Sequence, residues 1–120
     1  MPTFDPTPLI AGDHPLTHRP VTIVSGQGKL ARGTLLGRIT SGGKYVKSLS
    51  ASEDGSEKPV AILADDVDAT SGDAVGPAYF EGEFFQEKVT FGASHTAASV
   101  NASFVTNGVN IYLRKAGAAA

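Results

Sequence analysis

The sequence predicts a mainly β (α+β) fold: a small antiparallel β-barrel-like domain with one short helix near the C-terminus and an extended, proline-rich N-terminal arm. Three observations predict it. Five of the seven prolines fall within the first twenty residues. From Val21 onward, short β-branched or alternating runs are separated by Gly-, Asp- and Ser-rich turns. Only the stretch HTAASVNASFVTNG carries a helical stripe with signals at both ends. A chain of 120 residues is one domain by size and can bury roughly two-thirds of its unfolded surface. The expected division is an arm over residues 1–20, a β-rich domain over 21–115 and a flexible tail over 116–120.

The arm follows from proline chemistry. Proline lacks the N–H that a helix or central strand needs, and it biases the preceding residue to extended geometry. Pro2, Pro6, Pro8, Pro15 and Pro20 therefore keep the segment extended and without a core of its own. Phe4, Leu9 and Ile10 are apolar residues that an unattached tail gains nothing by keeping.

The domain reads strand by strand. VTIV (Val21 to Val24) is β-branched and ends at the turn SGQG. GTLLGRIT follows, with Leu35 and Ile39 on one face and Thr34, Leu36, Arg38 and Thr40 on the other. A Gly-Gly turn leads into a short strand around Tyr45 and Val46. SLSASEDGSEK is a polar loop centred on Asp54-Gly55. Pro59 to Ala64 is an apolar strand, and the acidic stretch after it reads as a turn. Ala78, Phe80, Gly82 and Phe84 alternate with Tyr79, Glu81 and Glu83. VNIYLR sets Val109, Ile111 and Leu113 against Asn110, Tyr112 and Arg114. In the helix, Ala97, Val100, Phe104 and Val105 fall on one stripe, Thr96 can cap the start, and Gly108 can supply the left-handed residue past the end. Its Val, Asn, Ser and Thr are poor helix formers, so packing must hold it.

Composition narrows the function classes. There are no cysteines, which excludes disulfides and thiolate metal sites and leans towards a reducing compartment. A net charge of −2 points away from nucleic acid and anionic membranes. No apolar run approaches the length of a membrane span. The N-terminus has neither the basic start nor the apolar stretch of a signal peptide, so the expectation is an unprocessed, non-secretory chain.

The candidate chemistry is thin. ILADDVDATSGDA holds four aspartates, but read as an EF-hand from Asp66 it places Ser71 where a sharp turn is required and Pro77 where a bidentate Glu belongs. Asp65, Asp66, Asp68 and Asp73 remain possible oxygen donors to an irregular site; turn chemistry is the simpler account. Gly26-x-Gly28-x-x-Ala31 matches a dinucleotide fingerprint after a strand, yet an alternating run follows where a helix is needed. His14 and His18 have metal-ligand spacing, and Asp13 adjoins them, but Pro15 removes the shared helical face. His95 adjoins Ser94 without a nucleophile elbow or an orienting Asp. Glu81 and Glu83 share a strand face at roughly 6.7 Å, near glycosidase separations, but no Trp exists to form a sugar platform. Asn101-Ala102-Ser103 fits a glycosylation sequon that has no secretion signal to give it meaning. No catalytic residue, cofactor site or metal site is expected.

The order of SGQGKLARGTLLGRIT, GGKYVK, VAILADDVDATSGDA, YFEGEFF, KVTFGA and NGVNIYL resembles the head decoration proteins of tailed bacteriophages. The resemblance spans about Val21 to Arg114. It implies a small, mainly β fold that forms a homotrimer on the outer surface of the virion, made in the host cytoplasm. There it would cement the three-fold and quasi-three-fold positions of the expanded head. The implied partner is the major capsid protein, with no nucleic acid, membrane or cofactor. The resemblance also implies an arm that orders on the capsid, with Thr3, Phe4, Leu9, Ile10, His14 and Arg19 as contact residues. Tyr79, Phe85 and Tyr112 lie on otherwise polar strand faces and are candidates for trimer contacts. The rival readings are a carbohydrate- or host-binding module of a virion, with Tyr45 and Tyr79 as its only aromatic hints, and a small metal-dependent enzyme built on the aspartates.

Overall fold

A computed structural model describes residues 10–11, 17–50, 52–92 and 95–114. Within them the chain runs through β1 (Ile10–Ala11), β2 (Thr17–Ile23), β3 (Gly28–Leu30), β4 (Leu35–Arg38), β5 (Tyr45–Lys47) and β6 (Pro59–Leu63). It continues through β7 (Val67–Ala69), β8 (Ala74–Phe85), a 3₁₀ turn over Gln86–Lys88, helix α1 (Ala97–Thr106) and β9 (Asn110–Arg114). The twelve residues of β8 organise the rest. Strands β8, β2, β5, β4 and β6 pair in that order, and β6 pairs β8 again, which closes a small barrel. The C-terminal half of β8 carries a further strand on each edge. Ile10–Ala11 lies opposite Phe84 and Glu83, and β9 runs beside Glu81–Phe85.

Most pairings are antiparallel, as alternation predicts, but β2–β5 and β8–β9 are parallel. Parallel strands need a crossover, and α1 provides it before β9. The acidic stretch contains more than a turn. Val67–Ala69 forms a strand paired with Gly28–Leu30, in a ribbon separate from the barrel, and Val67 and Ala69 are buried. Sheet pairing also reaches into the proline-rich segment. Thr17 through Pro20 belong to β2, with Pro20 opposite Pro77.

Two apolar clusters fill the domain. One gathers Leu35, Ile62, Phe84, Val100, Phe104 and Ile111, with Tyr79 against it. The other gathers Val21, Ile23, Leu36, Leu63, Val67 and Ala78, with Phe80 against it. Neighbours in sequence, such as Leu35 and Leu36, thus bury into different clusters, and both are fully buried. β4 is therefore covered on both sides at Leu35 and Leu36, while Arg38, on the Leu36 face by the register with β5, is exposed at the strand end. The period of two in β8 is also interrupted. Tyr79 faces His18 and Glu81 faces Thr17, so Phe80 is an extra residue against β2. A bulge of this kind reverses the sides taken by the residues that follow. Tyr79 and Phe84 consequently pack together, with ring centroids 5.3 Å apart.

Helix α1 begins as the sequence predicts. Thr96 accepts from the Ser99 amide and Ser99 Oγ accepts from the Thr96 amide, a complete capping box. Val100 and Phe104 are buried, but Val105 is 77 % exposed and leaves the predicted stripe. Asn101 takes its place: its Nδ2 donates to Leu113 O at 3.1 Å and its Oδ1 accepts from Leu113 N at 3.0 Å. The sequon asparagine is a clamp on the outer edge of β9. Gly108, at φ +69°, turns the chain from helix to strand.

Candidate functional site

The aspartates are each engaged in holding the fold. Asp66 Oδ1 accepts from Arg32 N, and Asp65 Oδ1 accepts from Asp66 N, both at 2.8 Å. Asp68 accepts from the hydroxyl and amide of Thr70, which together lower its pKa, the hydroxyl most. Asp73 takes Lys44 Nζ at 2.6 Å and Ser25 N at 2.8 Å; the lysine is the larger cause of its lowered pKa. Among the described residues no group of three acidic or histidine side chains is placed to hold a metal ion. The glycines of the dinucleotide-like run form a tight turn, with Gly26 N donating to Ala69 O at 2.7 Å.

His95, itself half-buried, joins a polar knot around the buried Ser48 and Ser56. Ser48 Oγ donates to Ser56 O at 2.7 Å and lies 3.0 Å from His95 Nε2. With its hydrogen committed to Ser56, Ser48 accepts from His95, which requires a proton on Nε2 in either the neutral or the charged ring. Burial lowers the His95 pKa and so favours the neutral ring. The serine therefore has no base poised to take its proton. Glycines let the backbone close over this knot. A Cβ on Gly92 would stand 1.8 Å from Ser48 O, and one on Gly37 would stand 2.0 Å from Ser56 O. Glu81 and Glu83 are engaged as well: Thr17 Oγ1 donates to Glu81 at 2.6 Å, and Arg114 pairs with Glu83 at 3.2 Å.

The residues read as contact positions separate by location. Thr3, Phe4, Leu9 and His14 lie outside the described residues, as does Asp13. Ile10 contributes backbone to β1, opposite Phe84. Arg19 sits in β2 with its guanidinium carbon 4.0 Å from the centre of the Phe80 ring, a cation–π contact that fixes its direction. Tyr79, ahead of the bulge, packs between His18 and Phe84 within its own chain, so the polar face assumed for it does not exist. The register of β8 and β9 instead places Phe85 and Tyr112 on one face with Glu83 and Arg114, and Tyr112 is 46 % exposed. Tyr45 meets Phe80 edge-on at 6.0 Å, so neither Tyr45 nor Tyr79 stands free as a sugar platform.

One feature was not legible in the linear order. Arg38 at the end of β4 and Arg19 in β2 line a common open cleft of about 320 Å³. Tyr45, Val60, Phe80 and Val109 line the same cleft. What could have pointed to it is that Arg38 follows the apolar run of β4 and Arg19 stands two residues before the apolar run that starts at Val21.

The picture is a small β-barrel domain with a strand-forming N-terminal segment and aspartates engaged in holding the fold. Among curated proteins none matches. A model of the family described as bacteriophage lambda head decoration protein D matches residues 1–109, which takes in the N-terminal segment, the whole barrel and the helix. The chain belongs to the bacteriophage lambda head decoration protein D family.

Proposed function

We propose that this chain is a capsid decoration protein that clamps the expanded phage head as a homotrimer. Family membership supports the capsid role, a place in the virion and a structural rather than catalytic task. The observation that carries the reading is the extent of that match: it begins at residue 1, so the proline-rich segment is as much part of the family pattern as the barrel.

The finer reading follows from physics. DNA packed inside a shell presses its subunits apart, and a clamp resists by bridging several of them at once. A three-fold trimer presents three identical arms to three equivalent surfaces on the outer face of the head. Once one arm is held, the others bind intramolecularly, so weak single contacts add to firm attachment. In this proposal Thr3, Phe4, Leu9, Ile10, His14 and Arg19 meet the major capsid protein. Ile10–Ala11 already pairs as a strand with β8, which is the behaviour a strand-adding segment needs. The prolines limit how far such pairing can spread. Subunit contacts centre on the β8–β9 face of Phe85 and Tyr112, with Tyr79 contributing through the packing behind it.

The test is a deletion of Met1 to Leu9. It must stop there, because β1 and β2 contribute to the sheet around β8 from Ile10 onward. The expected outcome is a folded protein of unchanged trimer mass by sedimentation equilibrium that no longer co-sediments with expanded, undecorated heads. Normal decoration by the shortened chain refutes the arm. A monomer at micromolar concentration in the full chain removes the basis for tethered attachment.

A further inference from the structure

The cleft of Arg19 and Arg38 combines positive charge with an apolar floor. Among the described residues neither guanidinium has a carboxylate partner, whereas Lys44 and Arg114 each hold one. The shortage is not of acids, since the chain carries 12 Asp and Glu against 10 Lys and Arg. Phe80 enters the cleft because it is the bulged residue of β8, and Arg19 is stacked on its ring. Tyr45 holds that ring from its edge.

A guanidinium presents a planar fork that takes a carboxylate through two parallel hydrogen bonds. Stacking on Phe80 already restricts Arg19, so less freedom is lost when it binds. Apolar side chains lining the cleft beside two cations lower the local dielectric once it is covered, which strengthens charge pairing. A free inorganic anion would satisfy the arginines and leave the floor wet. A nucleic acid is disfavoured by the chain's net charge of −2. The chemistry that satisfies both halves is an acidic side chain beside an apolar or aromatic one.

We propose that this cleft is a second capsid contact, which receives an Asp or Glu and its apolar neighbour from an exposed segment of the head's shell protein. The proposal rests on the capsid reading above and adds to it a charged latch. Arg19 lies two residues into the strand that starts at Thr17, so the arm and the latch share one element. Attachment then has a salt-insensitive part, the backbone pairing of the arm, and a salt-sensitive part, the cleft.

The test uses full-length Arg38→Glu, Arg38→Gln and Arg38→Lys, with co-sedimentation on expanded, undecorated heads over a range of sodium chloride concentrations. Arg38 is exposed at a strand end without an ion pair, so the fold tolerates these changes; far-ultraviolet circular dichroism and trimer mass verify it. Affinity should fall about tenfold or more for Glu, less for Gln, and least for Lys, with a shallower salt dependence for Gln than for the parent. Unchanged head binding by Arg38→Glu while the parent binds overturns the latch and leaves the capsid reading standing. Failure of the parent to bind heads removes both. Loss of trimer mass in Arg38→Glu overturns the proposal in favour of a second copy of this chain as the occupant.

Discussion

Replacing Asn101 with Ala should unlatch β9. The side chain makes two hydrogen bonds to the backbone of Leu113, a residue only 7 % exposed. Each such bond contributes about 1 to 1.5 kcal/mol, because its loss strands a backbone group that water reaches poorly. The pair is therefore worth about 2 to 3 kcal/mol. A domain of 120 residues gains roughly 0.25 kcal/mol/K of unfolding entropy, so the midpoint should drop by roughly 8 to 12 °C. Thermal unfolding should be followed at matched protein concentrations, since assembly adds to apparent stability. Hydrogen exchange locates the effect: the Leu113 amide should lose more protection than that of Ile111. Asn101→Asp sharpens the test, because a carboxylate can accept from Leu113 N but repels Leu113 O. Protonated, it regains a donor, so its folded pKa lies above its unfolded value. The stability it regains is fully present below the unfolded pKa, near 3.9, and is lost as pH rises through the folded pKa. A midpoint for Asn101→Ala within about 2 °C of the parent would refute the clamp.

Two further predictions concern the polar knot and the acidic turns. Gly92→Ala should destabilise by roughly 3 kcal/mol or more, because its Cβ meets backbone that cannot move aside, whereas Gly72→Ala, with open space and an ordinary φ, should lie within about 1 kcal/mol of the parent; chemical denaturation separates them. Asp73 has a folded pKa below its unfolded value, so its contribution is present above the unfolded pKa and lost as pH falls through the folded one. Asp73→Asn should therefore be less stable than the parent at neutral pH and converge with it in acid; parallel curves from pH 7 to 2 would contradict the assignment.

Local chemistry made some of this legible. Thr96 and Gly108 bracket the helix because a capping hydroxyl and a left-handed residue announce themselves wherever they occur. Asp65 and Asp68 could be read as turn formers because their partners, Asp66 and Thr70, lie close by, whereas Asp66 and Asp73 bond to Arg32, Ser25 and Lys44 far off in the chain. Long-range pairing was not legible. Nothing local says that Val67–Ala69 will find Gly28–Leu30, or that β9 will run parallel to β8. The bulge at Phe80 is visible only against Thr17 and His18, 62 or more residues away in the chain, and it decided where Tyr79 points. Val105 and Asn101 exchanged roles for the same reason: the helix stripe alone does not show that Leu113 would need a partner. The arginine cleft likewise needs β8, β2, β5 and β4 assembled in that order before it exists.

The placement of β1 has a mechanical meaning. Ile10–Ala11 lies antiparallel along the C-terminal end of the sheet's longest strand, with β9 fastened to that strand's opposite edge. A load drawn through the N-terminal segment along the strand axis would act on these cross-links sideways and together, in shear, instead of opening them one at a time like a zip. The half of β8 that receives it is braced by α1 through Phe104 and by β9 through Ile111. An anchor of this geometry yields only when the paired bonds of its two-residue strand fail together.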